Sequence, residues 1–159
     1  VTQQEFEARI DEGDLPDSVV MIQCVGPAEQ YCSRICCTVA LKNALALKRQ
    51  KPDAQVTILY KDIRTYGFKE RLYTQAREAG VIFVRYDDAH LPQVETEDGL
   101  RIEAWEPVLK GRIELRPDLL VLSMPRLVWP SSITSSCSSV AVCMNSTAVA
   151  RSTWWLPRL

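Results

Sequence analysis

The feature that most narrows the fold is a set of three short apolar runs rich in β-branched residues, at 19–25, 56–60 and 81–86, separated by stretches of helical periodicity. Apolar runs of this length, bounded by turn residues, read as strands buried on both faces. Between the first two runs, Ile35, Val39, Leu41, Ala44, Leu45 and Ala46 recur at helical spacing across 34–50. Ser33 stands in the N-cap position, and Lys48 and Arg49 favour the negative end of the dipole. Between the second and third runs, Phe68, Leu72, Ala76 and Ala79 mark one face of another helix, which Gly80 closes as a left-handed cap. Strand, helix, strand, helix, strand in series predicts an α/β domain of Rossmann-like form, a parallel sheet with right-handed crossovers.

Beyond the third run, residues 93–96 and 100–105 flank Asp98 and Gly99, the pair that favours a tight hairpin. Residues 112–115 and 118–123 read as two further strands. The expectation is an antiparallel β meander inserted before the last strand of the parallel sheet. Residues 1–18 are polar and broken by Gly13, Pro16 and Asp17, and the chain opens on VTQQEFEARI without Met. They are expected to be the remnant of a neighbouring domain. From Met124 the composition breaks: all 20 acidic residues precede it, and three of the four tryptophans, Trp129, Trp154 and Trp155, follow it among serine-rich stretches. No periodicity is sustained there, so 124–159 is expected to be disordered or out of frame, leaving 19–123 as the domain.

The balance of charge excludes some functions. With 19 Lys and Arg against 20 Asp and Glu, the chain carries a formal net charge of -1, without the basic excess that nucleic-acid binders concentrate on one face. No run of about 18 apolar residues could span a bilayer, and the opening lacks the basic-then-apolar order of a signal peptide. A cytoplasmic location is the expectation. Six cysteines in such a chain point to metal or redox chemistry more than to structural disulfides. His90 is the sole histidine, and no serine–histidine–aspartate set or phosphate loop accompanies it.

Four of those cysteines fall close together: Cys24, Cys32, Cys36 and Cys37. Cys24 ends the first strand, Cys32 lies in the connecting loop, and Cys36 with Cys37 open the helix. That is the place where a Rossmann domain binds pyrophosphate. The stretch CVGPAEQYCSRICC supplies one glycine instead of the glycine-rich turn that phosphates need. An iron-sulfur cluster is an anion too, and a helix N-terminus stabilises both thiolates and cluster sulfides. The residues leave four readings open: a 4Fe-4S cluster held by Cys24, Cys32, Cys36 and Cys37, a structural zinc in a non-catalytic binding module, a thiol switch through Cys36 and Cys37, and inert buried thiols. Asp62, Arg64 and Tyr66 follow the second strand, where such domains meet a cofactor's ribose, or else form a helix-entering loop with salt bridges. Arg34, between the cysteines, either tunes a cluster by its charge or points into water.

The segments VVMIQCVG, YCSRICC, ALKNALALK, LYKDIRTYGF and GVIFVRYD, in this order, resemble the family of heterodisulfide reductase A subunits of anaerobic archaea and bacteria over about 19–123. The resemblance favours iron-sulfur over zinc. It implies an electron-transferring flavoprotein oxidoreductase of thioredoxin-reductase-like fold, linked in methanogens to methanogenesis. In it, cysteines matching Cys24, Cys32, Cys36 and Cys37 ligate a 4Fe-4S cluster that relays electrons to or from FAD. It also implies a complex with other heterodisulfide reductase-type subunits and with ferredoxin or hydrogenase-type electron donors. This chain departs from the pattern in a shorter loop between Cys24 and Cys32. The family's glycine-rich FAD motif and ferredoxin-like modules are not in this sequence, so the expected FAD site lies largely outside it.

Overall fold

A computed structural model describes residues 1–26, 32, 34–97 and 99–123. Their elements run α1 (Gln3–Glu12), β1 (Ser18–Ile22), α2 (Cys36–Gln50), β2 (Gln55–Tyr60), α3 (Glu70–Glu78), β3 (Ile82–Arg85), β4 (Gln93–Glu95), β5 (Arg101–Glu106), β6 (Gly111–Leu115) and β7 (Leu119–Leu122). Ser33, Asp98 and the whole tail from Met124, with the expectation attached to it, lie outside the described residues.

Strands β3, β2, β1 and β7 form one sheet in that order, and every pairing is parallel. The antiparallel trio β4, β5 and β6 forms a second sheet, its strands joined in sequence. Helices α2 and α3 are the crossovers of two consecutive βαβ units, and the meander takes the place of a third crossover before β7. The fold is therefore the expected α/β, Rossmann-like sheet with an inserted β meander, its parallel strands in the order third, second, first, fourth.

Alternation along β1 explains why its sequence reads as an unbroken apolar run. Val19 and Met21 pack into a core with Phe6 and Ile10 of α1, Leu41 and Ala44 of α2, and Ala76 of α3. Val20 and Ile22 face the other way, into a core with Ile102 and Ala104 of the meander. Successive strand side chains point to opposite faces, and both faces are covered here, so neither can be polar. Leu41 and Leu47 are fully buried, each such side chain stabilising the fold by about 1.5–3 kcal/mol.

The structure differs from the sequence reading at the N-terminus. Residues 3–12 form a helix of the same unit as the sheet. Phe6 and Ile10 are 0% and 2% exposed, and with Gln3 they make the single stripe that α1 turns inward. Two apolar residues in a polar segment suffice because they fall four apart, on one helical face. Thr2 and Glu5 close a capping box at its start, and Gly13 (φ 82) ends it in the left-handed region. Thr2 also bridges in parallel to Leu122, so α1 is tied to the edge of β7.

Two smaller differences concern the other helices. Helix α2 begins at Cys36 with Ile35 as its N-cap, and no side chain caps it. Phe68 sits in a 3-10 turn (Gly67–Lys69) ahead of α3 and is 89% exposed, so it is no part of that helix's buried face. Leu72 does pack against the core beside Ala76. Gly80 adopts φ 79 and donates its N–H to the Arg77 carbonyl at 3.0 Å, closing α3 as expected.

If α1 belongs to this core, Phe6→Ala lowers the unfolding free energy by about 3–5 kcal/mol in urea titrations. Thr2→Ala lowers it by about 0.5–2 kcal/mol through loss of the cap. Hydrogen bonding from Thr2 holds the Glu5 carboxyl below the usual carboxylate range. A depressed folded value means that its stabilisation is present above pH ~4.3 and fades as pH falls through the folded value. The stability gap between the parent chain and Glu5→Gln should therefore close in acid.

Candidate metal centre

Parallel strands leave by the same edge, and here β1 and β2 deliver their next residues to the N-terminus of α2. Such a helix start carries about half a positive charge and unpaired N–H groups. After Ile22, Gln23 donates its N–H to the Leu59 carbonyl at 2.9 Å, extending the sheet by one residue. Cys24 then takes φ 59, a left-handed conformation uncommon for a non-glycine residue, which ends the strand's alternation. Arg34 repeats it, also at φ 59, just before α2.

Cys36 and Cys37 are the first two residues of α2. Cys37 is 2% exposed, whereas Cys24, Cys32 and Cys36 are half-buried, and none of the four is in a disulfide among the described residues. The Cys37 Sγ donates to the Asp62 carbonyl at 3.7 Å, joining the helix start to the loop after β2. Its hydrogen bond with Cys36, then burial, raises the Cys37 thiol far above its ordinary value, and backbone hydrogen bonding from Arg64 opposes this. Burial likewise raises Cys24, and backbone hydrogen bonding from Lys61 and Asp62 works the other way. Cys24 also feels the charges of Cys36 and Cys32, and Cys37 that of Cys24. The four cysteines thus lie within electrostatic reach of one another, with Cys37 tied to the loop after β2 by its bond to the Asp62 carbonyl.

The other expected site residues lie along the same rim. Arg64 Nε pairs with Asp62 Oδ2 at 2.8 Å, and its pKa is raised first by that bond and next by the charge of Cys32. The Arg34 guanidinium lies 6.0 Å from the centre of the exposed Tyr66 ring, a cation–π distance. Asp62 also lines an open depression with Lys61, Thr65, Glu70 and Arg85. His90 stays in an exposed turn, paired with Asp87 at 2.9 Å and stacked on Trp105.

Three residues of the site were not singled out by sequence. Tyr86, at the end of the third apolar run, donates its hydroxyl to the Gln23 carbonyl. Burial, then the charge of Cys24, pushes its pKa up. Gln23 is 0% exposed, and among the described residues neither side-chain atom of its amide has a partner; the Thr38 hydroxyl, next to Cys37, has none there either. An unpaired buried polar group costs about 1–3 kcal/mol. The signal for Gln23 was present, as the one polar side chain in VVMIQCV.

In chemistry this donor set fits an iron-sulfur centre: four soft sulfurs, a helix N-terminus, and backbone and buried side-chain donors around them. In position, the sulfurs stop short of a ligand sphere. Among the described residues no group of three or more His, Cys, Asp or Glu is placed to hold a metal ion. Sites of this kind commonly form only as the metal binds.

The metal-free chain offers a direct check of this geometry. The thiolate is the nucleophile, so a thiol both buried and raised in pKa reacts slowest. Timed iodoacetamide labelling read by peptide mass spectrometry should find Cys37 modified at least roughly tenfold more slowly than Cys36, a tenfold loss of thiolate corresponding to each unit of pKa. Faster labelling of Cys37 would contradict its placement on the inner face of α2.

No family model matches the chain. Among curated proteins it is 40% identical, over 126 residues and 75% of its length, to the A subunit of the ferredoxin:CoB-CoM heterodisulfide reductase of Methanosarcina acetivorans, covering 16% of that protein. It is 42% identical, over 118 residues, to the A subunit of the ferredoxin/F(420)H(2)-dependent CoB-CoM heterodisulfide reductase of the same organism, covering 15% of it. To the iron-sulfur A subunit of the CoB--CoM heterodisulfide reductase of Methanocaldococcus jannaschii it is 40% identical over 124 residues, covering 19% of it. The chain therefore spans less than a fifth of the curated relatives it matches. Over that portion it belongs to the family of heterodisulfide reductase A subunits.

Proposed function

We propose that this chain carries the iron-sulfur relay portion of a heterodisulfide reductase-type oxidoreductase, with Cys24, Cys32, Cys36 and Cys37 ligating one 4Fe-4S cluster that passes electrons to or from FAD. What supports this reading is the placement of Cys24 just after β1 and of Cys36 and Cys37 at the start of α2, with the Cys37 Sγ 3.7 Å from the Asp62 carbonyl of the loop after β2. Hydrogen bonds to cluster sulfurs are among the means by which proteins set cluster potential. The Methanocaldococcus jannaschii relative is named an iron-sulfur subunit, which supports the choice of metal.

The cluster supplies one-electron chemistry when bound. The protein's part is to hold it, to exclude water on the Cys37 side, and to present a rim for the electron's source or destination. On that rim Arg34, Asp62, Arg64 and Tyr66 are the proposed contacts for FAD or a partner, because Tyr66 and Asp62 are exposed and both arginines sit beside the cysteines. The relatives' names support other heterodisulfide reductase-type subunits and ferredoxin or hydrogenase-type donors as partners. No helix among the described residues is long and apolar enough to cross a membrane, and we place the complex in the cytoplasm.

Anaerobic purification followed by iron and acid-labile sulfide assay should find iron and sulfide in equal amounts. Alanine at any one of the four cysteines should remove most of both. Stoichiometric zinc without sulfide would instead establish a zinc-stabilised binding module and overturn the proposal.

A further inference from the structure

We infer that Gln23, assisted by Thr38, is a positioning residue that raises the reduction potential of the proposed cluster by donating hydrogen bonds to its sulfurs. This deepens the function proposed above and rests on it. Gln23 is held by its backbone on both sides, its N–H bonding the Leu59 carbonyl and its own carbonyl accepting from Tyr86. Its side chain is completely buried, and among the described residues neither its oxygen nor its nitrogen has a partner. Buried polar side chains are overwhelmingly paired, so this orphan calls for a cause.

Its place supplies one. Val19 and Met21 point to the helices, and the two-residue repeat of β1 carries Gln23 to that same face, at the end of the sheet where α2 begins. Gln23 adjoins Cys24, and Thr38 adjoins Cys37, the buried cysteine of the helix's first turn. The other orphans among the described residues have ready explanations: Asn43 already bonds Gln3 through its Nδ2, and Arg101 belongs to the charged meander surface. A leucine of nearly the same size would serve packing better at position 23, because it brings no polar atoms to desolvate. What the amide adds is an N–H donor in a nearly dry place, at the end of the sheet where Cys24 and the start of α2 lie.

The cluster couple gains one electron and no proton, so reduction adds a negative charge to the cluster and its sulfurs. A donor aimed at those sulfurs bonds the reduced form more strongly than the oxidised form and raises the potential. Removing it favours the oxidised state.

The test uses the 159-residue chain, loaded anaerobically with iron and sulfide and titrated with dithionite as the one-electron reductant while electron paramagnetic resonance follows the reduced cluster. Gln23→Leu should load as fully as the parent, with the reduced-to-oxidised ratio at a fixed potential lowered roughly tenfold, a midpoint shift of about 59 mV for one electron. Thr38→Val should shift it the same way by less. Without metal, Gln23→Leu should resist urea at least as well as the parent, because the orphaned amide is gone. Full loading with an unchanged midpoint in Gln23→Leu overturns the inference while leaving the proposed cluster intact. Should Gln23→Leu fail to fold, an unchanged midpoint in Thr38→Val overturns it equally. A parent chain that takes up neither iron nor sulfide defeats the functional proposal first, and this one with it.

Discussion

The structure depends above all on the parallel pairing of β1 with β2 and β7. Register places Val19 opposite both Val56 and Leu119, so the strands end together and their following loops meet at one edge. Parallel strands need crossovers, and the crossover after β1 is α2, whose start must return to that same edge. Cys24 after β1, the 61–64 backbone after β2, and Cys36 and Cys37 at the head of α2 are neighbours for this reason alone. An antiparallel arrangement of the same segments would scatter them.

Burial then gives the cysteines their character. Burial raises the pKa of Cys24 and, after the hydrogen bond with Cys36, that of Cys37, because ionising a sulfur away from water is costly unless a cation compensates it. The proposed metal centre would be that compensation: its binding would displace the protons, and the charge that burial resists would be shared with the metal. The hydrogen bonding from Lys61, Asp62 and Arg64 already lies on the side of the ionised sulfurs. Apolar layers on both faces of the sheet hold these groups in place, with α1 closing one of them through Phe6 and Ile10.

Much of this was legible in the residues. The runs at 19–25, 56–60 and 81–86 marked three strands because both sheet faces are dry, and Asp98 with Gly99 marked the hairpin between β4 and β5 by turn preference. The cysteines were conspicuous by proximity in the chain. Helix α1 escaped because only Phe6 and Ile10 of its ten residues are large and apolar, so composition hid a stripe that periodicity alone would show. Phe68 misled in the opposite sense, since an aromatic residue at helical spacing need not be buried when the backbone first makes a tighter turn. Long-range partners were beyond reach. The bond from Tyr86 to Gln23 spans 63 residues and exists only because β3 and β1 end at the same edge.

Iron K-edge X-ray absorption on the anaerobically prepared chain addresses the central claim without regard to activity. Four cysteines gathered on one cluster require a first shell of sulfur alone and a second shell of neighbouring iron. A first shell of nitrogen or oxygen, or the absence of iron–iron scattering from fully loaded protein, would show that the sulfurs at the head of α2 do not hold a common centre.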